Sequence, residues 1–264
     1  MEKVYSKDGT IIAFDQIGHG PVVILVDGAL QYRAFDQGMA ELADLLAQHF
    51  TVIHYDRRGR GDSTDARTYE LEREIEDIEA LIDEAGGSAF LYGISSGAAL
   101  ALEAANALGD KIKKLALYEA PYNDDKNARK GWKEYRQKLK ELVLADRKGD
   151  AVGLFMMLVG MPPEQLEGMR QHPMWPPLEA VGLTLAYDAV AMGEDGSIPT
   201  KRASTISVQT LVMNGGVSEW SFMHSTALAL AETIPNAQHR TLEDQTHEVD
   251  SKVLAPVLIE FFKG

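Results

Sequence analysis

The stretch Ala89-Phe90-Leu91-Tyr92-Gly93-Ile94-Ser95-Ser96-Gly97-Ala98-Ala99-Leu100 changes character at its middle. Four apolar residues end at a glycine, as a short buried strand does, and residues 97–108 are rich enough in Ala and Leu to predict a buried helix. Between them lies G-x-S-x-G, and a strand before and a helix after are the context in which that pentapeptide carries a nucleophilic serine. The chemistry explains the residue types. A sharp turn holds Ser95 in a strained conformation, and a side chain at either flanking glycine would collide with neighbouring backbone. The helix N-terminus adds a positive end and an amide donor for an oxyanion.

Outward from this point, apolar β-rich runs at residues 21–26 and 51–55 predict two earlier strands, and residues 112–118, closed by Pro121, a later one. Leu71, Ile75, Ile78 and Ile82 share one face of a helix that Gly86-Gly87 stops. The acidic residues Glu70, Glu72, Glu74, Glu76, Asp77 and Glu79 read as its solvated side. The rhythm returns with a strand at 208–214, a helix near 222–233, a strand near 238–242 and a C-terminal helix over 249–262. Strands separated by helices imply right-handed crossovers and a mostly parallel sheet flanked by helices. Residues 122–205 break the pattern: they open basic and polar around Trp132, turn apolar at 154–159, and carry Pro162-Pro163, Pro173 and Pro176-Pro177. The expected organisation is an α/β core of residues 1–121 and 206–264 with a helical cap insertion at 122–205.

Composition narrows the function. The 264 residues are 45% hydrophobic and 25% charged, ample for one large α/β domain. Forty acidic against 26 basic residues, a formal net charge of −14, argue against nucleic acid as a partner. Zero cysteines exclude disulfides, thiolate zinc sites, iron–sulfur clusters and a cysteine nucleophile. No apolar leader follows Met1 and no apolar run approaches a membrane span, so a cytoplasmic protein is expected.

Three motifs together carry a family resemblance. Gly93–Gly97 is the first. Asp56-Arg57-Arg58-Gly59-Arg60-Gly61-Asp62-Ser63, after the second core strand, is similar to the D-x-R-G-x-G-x-S loop of the α/β-hydrolase superfamily. Asp27-Gly28-Ala29, after the first core strand, stands where relatives carry His-Gly and an oxyanion-loop residue, with Asp27 in place of the usual His. The chain therefore resembles that superfamily over essentially its whole length. The resemblance implies the α/β-hydrolase fold and backbone N–H donors to an oxyanion from Ala29 and Ser96. The loop of residues 56–63 reads as structural, its arginines tying turns together. Serine at position 95 speaks against a dehalogenase or epoxide hydrolase, which would need aspartate there. Neither a dinucleotide fingerprint nor metal-ligand spacing is present, so no cofactor or metal is expected.

A serine needs a base. Of seven histidines, only His247 falls on a loop between the last strand and the C-terminal helix, the position that matches the family's base. His19 falls in a Gly-rich turn, His49 at the end of a helix, His54 within a strand, His172 in the insertion, His224 at the start of a helix and His239 in the last strand. The acid has two candidates. Relatives mostly place an Asp after the next-to-last strand, where Asn214-Gly215-Gly216-Val217-Ser218-Glu219 offers Ser218 at the expected point and Glu219 one step on. Glu119 ends the strand after the nucleophile helix, on the sheet edge that also carries Ser95. Glu119 is the preferred acid and Glu219 the alternative.

The resulting expectation is a serine hydrolase of carboxylic esters, with a small-molecule ester of small or apolar acyl group as its partner. A lactone, thioester or carbon–carbon bond hydrolase on the same site, or a non-catalytic ligand-binding relative, stands as the alternative. Met156, Met157, Met161, Met169, Met174, Trp132 and Trp175 either line an adaptable acyl pocket or simply pack the cap. Oligomeric state is left open by the sequence.

Overall fold

Apolar β-branched runs bounded by glycine and proline form the strands of one sheet, and each intervening amphipathic segment folds back over a sheet face. In the computed structural model, residues 1–66 and 69–264 are described. The strands are β1 (Glu2–Tyr5), β2 (Ile11–Gly18), β3 (Val22–Val26), β4 (Thr51–Tyr55), β5 (Ala89–Ile94), β6 (Ile112–Tyr118), β7 (Gln209–Gly215) and β8 (Ala237–Leu242). Their order is β1-β2-β4-β3-β5-β6-β7-β8. Only the β1–β2 and β2–β4 pairings are antiparallel; every other pair is parallel.

Helices α1 (Gln37–Leu46), α2 (Leu71–Glu84) and α3 (Ser96–Leu108) join the first parallel strands. Six more follow between β6 and β7: α4 (Lys126–Leu144), α5 (Lys148–Leu158), α6 (Pro163–Arg170), α7 (Trp175–Ala180), α8 (Leu185–Ala191) and α9 (Thr200–Ala203). Finally come α10 (Phe222–Thr233) and α11 (Ser251–Lys263). One sheet face packs on α2, α3 and α10 through Ile24, Ile53, Leu91 and Leu115, and the other on α1 and α11 through Val23, Leu25, Val52 and Ala116. The helices between β6 and β7 hold an apolar cluster of their own, built on Tyr135, Leu139, Val152, Trp175 and Leu185.

Strand order reverses direction between β3 and β5, because β4 lies on one side of β3 and β5 on the other. Ligands of open parallel sheets gather at the carboxyl ends of strands at such a switch point. The G-x-S-x-G turn follows β5, and Asp27-Gly28-Ala29 follows β3.

Two readings of the sequence change here. The acidic side of α2 is not wholly solvated: Glu74 and Asp77 are buried on the same face as Ile78 and Leu81. Arg57 donates to Glu74 from Nε at 2.7 Å and from a terminal nitrogen at 2.8 Å, and Arg58 donates to Asp77 at 2.8 and 2.7 Å. Two arginines folded into the interior need those counter-charges, which is why a carboxylate can sit on the inward stripe. His49, too, lies in the turn after α1 rather than at the helix end.

Candidate active site

Ser95 has φ 55° and ψ −129°, a strained combination for a residue with a side chain. Close packing on both flanks enforces it. A Cβ on Gly93 would come 2.5 Å from the Gly97 carbonyl oxygen, and one on Gly97 would come 2.3 Å from that of Val26. The turn therefore brings β5, α3 and the end of β3 closer than any side chain permits. The Ser95 amide donates to the Tyr118 carbonyl at 2.9 Å, fixing the turn to β6.

The loop after β3 lies against the same serine: a Cβ on Gly28 would sit 3.1 Å from Ser95 Cβ. Gln31 braces this loop, its Oε1 accepting from the Gly28 N–H at 2.7 Å and its Nε2 donating to Asp36 at 2.5 Å. Asp27 is fully buried, with His54 Nε2 3.0 and 3.2 Å from its two oxygens. Burial works against a charged His54, but Asp27, Asp36 and Asp56 outweigh it and hold the imidazole's pKa above its ordinary value. The acid that replaces the usual His is thus half of a buried pair under the loop. Neither the Ala29 nor the Ser96 amide is taken by an acceptor among the described residues.

Glu119 ends β6 with φ 46°, another strained backbone, and its side chain is shut off from solvent. Oε1 accepts from the Gly215 N–H at 2.9 Å; Oε2 accepts from Ser218 Oγ at 3.2 Å and lies 2.7 Å from His247 Nδ1. Ser218, at the position where relatives carry the acid, becomes a hydrogen-bond donor to the acid that replaces it. Glu219 reaches only the backbone: its Oε2 accepts from the His247 N–H at 3.4 Å. The Tyr118 hydroxyl donates to the Thr246 carbonyl, and the Trp220 ring meets the His247 ring edge-on with centroids 5.0 Å apart. These contacts hold the loop between β8 and α11 against the sheet edge.

Ser95, Ser96, Ala29 and His247 all line one cavity of about 780 Å³, and among the described histidines His247 is the only one on its wall. The other six lie elsewhere, His224 and His239 meeting at Asn214 Oδ1, 3.3 and 2.8 Å away. The helical segment roofs the cavity with Trp132, Tyr135, Phe155, Leu185 and Met192. Of the two readings open for the cap methionines and tryptophans, the pocket lined by those methionines does not form. Of the seven residues named for it, only Trp132 is on the wall. Trp175 is buried inside the cap cluster under the Arg170 guanidinium, whereas Met157 and Met174 are exposed. Apolar runs on short helices face both ways, and periodicity could not choose the inward side.

Asp188 was not legible in the sequence at all. It comes from α8 and crosses into the core beneath the elbow, where Oδ1 accepts from Arg57 at 2.6 Å and from Ser96 Oγ at 2.8 Å. Its Oδ2 accepts from Arg60 at 2.7 Å. Burial pushes this carboxyl upward, but Arg60 and Arg57 outweigh burial and hold its pKa below the ordinary aspartate value. The loop of residues 56–63 ties turns together and also anchors α8 through Asp188.

A serine on a strained strand-to-helix turn, with a carboxylate-held histidine on the same cavity, at the carboxyl edge of this sheet, defines the α/β-hydrolase class. The chain belongs to the alpha/beta hydrolase family, whose sequence profile matches residues 18–251. It is similar to a crystallised alpha/beta hydrolase from Sphaerobacter thermophilus at 51% identity, covering 99% of this chain and 100% of that one, with a TM-score of 0.86. A thermophilic esterase from Thermogutta terrifontis shares the fold at 23% identity, 99% and 97% coverage and a TM-score of 0.70. So does an enol-lactonase from Burkholderia xenovorans, at 21% identity, full coverage of both chains and a TM-score of 0.70.

Proposed function

We propose that this protein is a serine hydrolase of carboxylic esters that works through a Ser95–His247–Glu119 triad. The observation that carries the reading is the 2.7 Å contact between Glu119 Oε2 and His247 Nδ1, made by a carboxylate with no solvent exposure. A carboxylate there keeps the Nδ1 proton in place and leaves Nε2 unprotonated to serve as base. Ser95 Oγ attacks the ester carbonyl while His247 Nε2 takes its proton. The amides of Ala29 and Ser96 donate to the oxygen of the tetrahedral intermediate. As the C–O bond breaks, the imidazolium returns the proton to the leaving alcohol, and the acyl group stays on Ser95. Water then attacks the acyl-enzyme with His247 as base, and Ser95 leaves reprotonated. The helical segment of residues 122–205 acts as a cap whose walls bind the apolar parts of the substrate.

The test is labelling with a fluorophosphonate, read by mass spectrometry at Ser95, beside hydrolysis of short p-nitrophenyl esters. Both should occur, and both should vanish in Ser95→Ala. An unlabelled Ser95 with no ester turnover would leave a ligand-binding relative in place of an enzyme.

A further inference from the structure

We infer that the cavity selects substrates without negative charge and turns away those carrying a carboxylate. The inference rests on the esterase reading and adds the class of substrate. Four carboxylates line the cavity that Ser95 opens into: Asp36, Asp188, Asp195 and Glu248. Among the described lining residues there is neither lysine nor arginine. Among the described residues, the arginines that reach these carboxylates are already committed. Arg57 and Arg60 hold Asp188, and Arg129 holds Asp195 through its Nε at 2.9 Å as well as a terminal nitrogen.

Asp36 is the sharper observation. Its Oδ1 caps α1 by accepting from the Met39 N–H at 2.9 Å, its Oδ2 accepts from Gln31, and among the described residues no lysine or arginine pairs with it, the one charge easing its ionisation being that of His54. Burial, followed by the charge of Asp27, pushes its pKa above the ordinary aspartate range. A substrate carboxylate at this end of the cavity would add a further negative charge beside Asp36 and Asp27.

Three polar groups on the wall already have partners. Trp132 Nε1 donates to the Gly193 carbonyl at 3.0 Å, Ser251 Oγ to the Gly38 carbonyl at 2.8 Å, and Gln31 Nε2 to Asp36. A carboxylate set against the apolar part of the wall would lose its water without gaining a partner. Were a substrate carboxylate to stand ~7 Å from one wall carboxylate, an effective dielectric near 20 would give a discrimination of roughly 30- to 100-fold.

The experiment compares three p-nitrophenyl esters of one acyl length: valerate, monoglutarate, and the methyl ester of the monoglutarate. Monoglutarate should be slower than valerate by roughly 30- to 100-fold in kcat/KM, with the methyl ester within about tenfold of valerate. Asp36→Asn, which keeps an acceptor to cap α1, should narrow the valerate–monoglutarate gap severalfold. Monoglutarate cleaved within about threefold of valerate overturns the inference, because wall carboxylates that set the selection must repel a like charge. A methyl ester as slow as the free acid also overturns it, since size or polarity would then be the cause. Turnover of none of the three, with Ser95 unlabelled, refutes the esterase reading instead.

Discussion

Replacing Glu119 by glutamine tests the triad with the least disturbance. The side chain has two separate duties. Oε1 takes the Gly215 N–H at 2.9 Å, and Oε2 faces His247 Nδ1 at 2.7 Å. Gly215 can only donate, so the glutamine oxygen must take the Oε1 place, and the amide NH2 then points at Nδ1. Two losses follow. A hydrogen bond to a charged partner, worth about 1.5–3 kcal/mol, goes when the imidazolium forms. The NH2 also favours the tautomer with its proton on Nε2, which disarms the base toward Ser95. Together these should lower kcat by roughly 10²- to 10⁴-fold, or about 2.7–5.4 kcal/mol at 1.36 kcal/mol per decade, with KM little changed. Steady-state hydrolysis of p-nitrophenyl butyrate measures it, with circular dichroism melting to confirm the fold. Glu219→Gln, which loses only a 3.4 Å contact to a backbone N–H, should stay within about threefold of wild type. The reverse ranking, or a Glu119→Gln enzyme within tenfold of wild type, would remove Glu119 from the mechanism.

Ser95→Ala should lose on the order of 10⁴-fold or more in kcat while melting as a folded protein; retained ester hydrolysis would mean another nucleophile. Trp132→Ala enlarges the cavity and should shift acyl-chain preference toward longer esters, whereas Trp175→Ala should lower the melting temperature without that shift; equal specificity profiles would contradict the wall as described. Ser96→Ala leaves the Arg57–Asp188–Arg60 contacts whole and removes only the 2.8 Å bond to Asp188, so it should lower kcat roughly three- to thirtyfold at unchanged stability, and a purely structural Asp188 would leave kcat untouched. Asp188 and Glu74 both have pKa values lowered by arginines that outweigh burial. Their contribution is present above the unfolded carboxyl values near 4 and is lost as pH falls through the lower folded values. Melting temperature should therefore drop on acidification below about pH 4, more steeply in wild type than in Asp188→Asn; parallel curves would refute that linkage.

How much of this was legible in the sequence depended on distance along the chain. The elbow, the strand at Ile112–Tyr118 and the helix at Phe222–Thr233 depend on neighbours within a dozen residues, so their periodicity and punctuation sufficed. Glu119 could be proposed because a strand end has a definite place on a parallel sheet edge, but its preference over Glu219 turned on the direction of a loop one residue out of register. The charged interior was opaque. Arg57 and Asp188 are 131 positions apart, and nothing in either's neighbourhood marks it as buried. The cap's inner wall was equally hidden, since α5 carries apolar residues around most of its circumference and only packing decides that Phe155 faces inward and Met157 outward.

The Asp188 anchor bears on how freely this insertion could be exchanged. Helical segments between β6 and β7 invite treatment as interchangeable cassettes, swapped to change substrate range. Here such a graft would carry Asp188 away and strand Arg57 and Arg60, both essentially without solvent exposure, with Glu74 as the remaining carboxylate on Arg57 and none on Arg60. Removing one member of a buried ion pair destabilises by about 3–5 kcal/mol, a large share of a typical domain's 5–15 kcal/mol. A chimera would therefore have to move positions 57, 60 and 188 as one unit, or replace the two arginines with apolar residues before the new roof is fitted. Recombination across this boundary is constrained by three side chains, none of which chemically touches a substrate in the mechanism above.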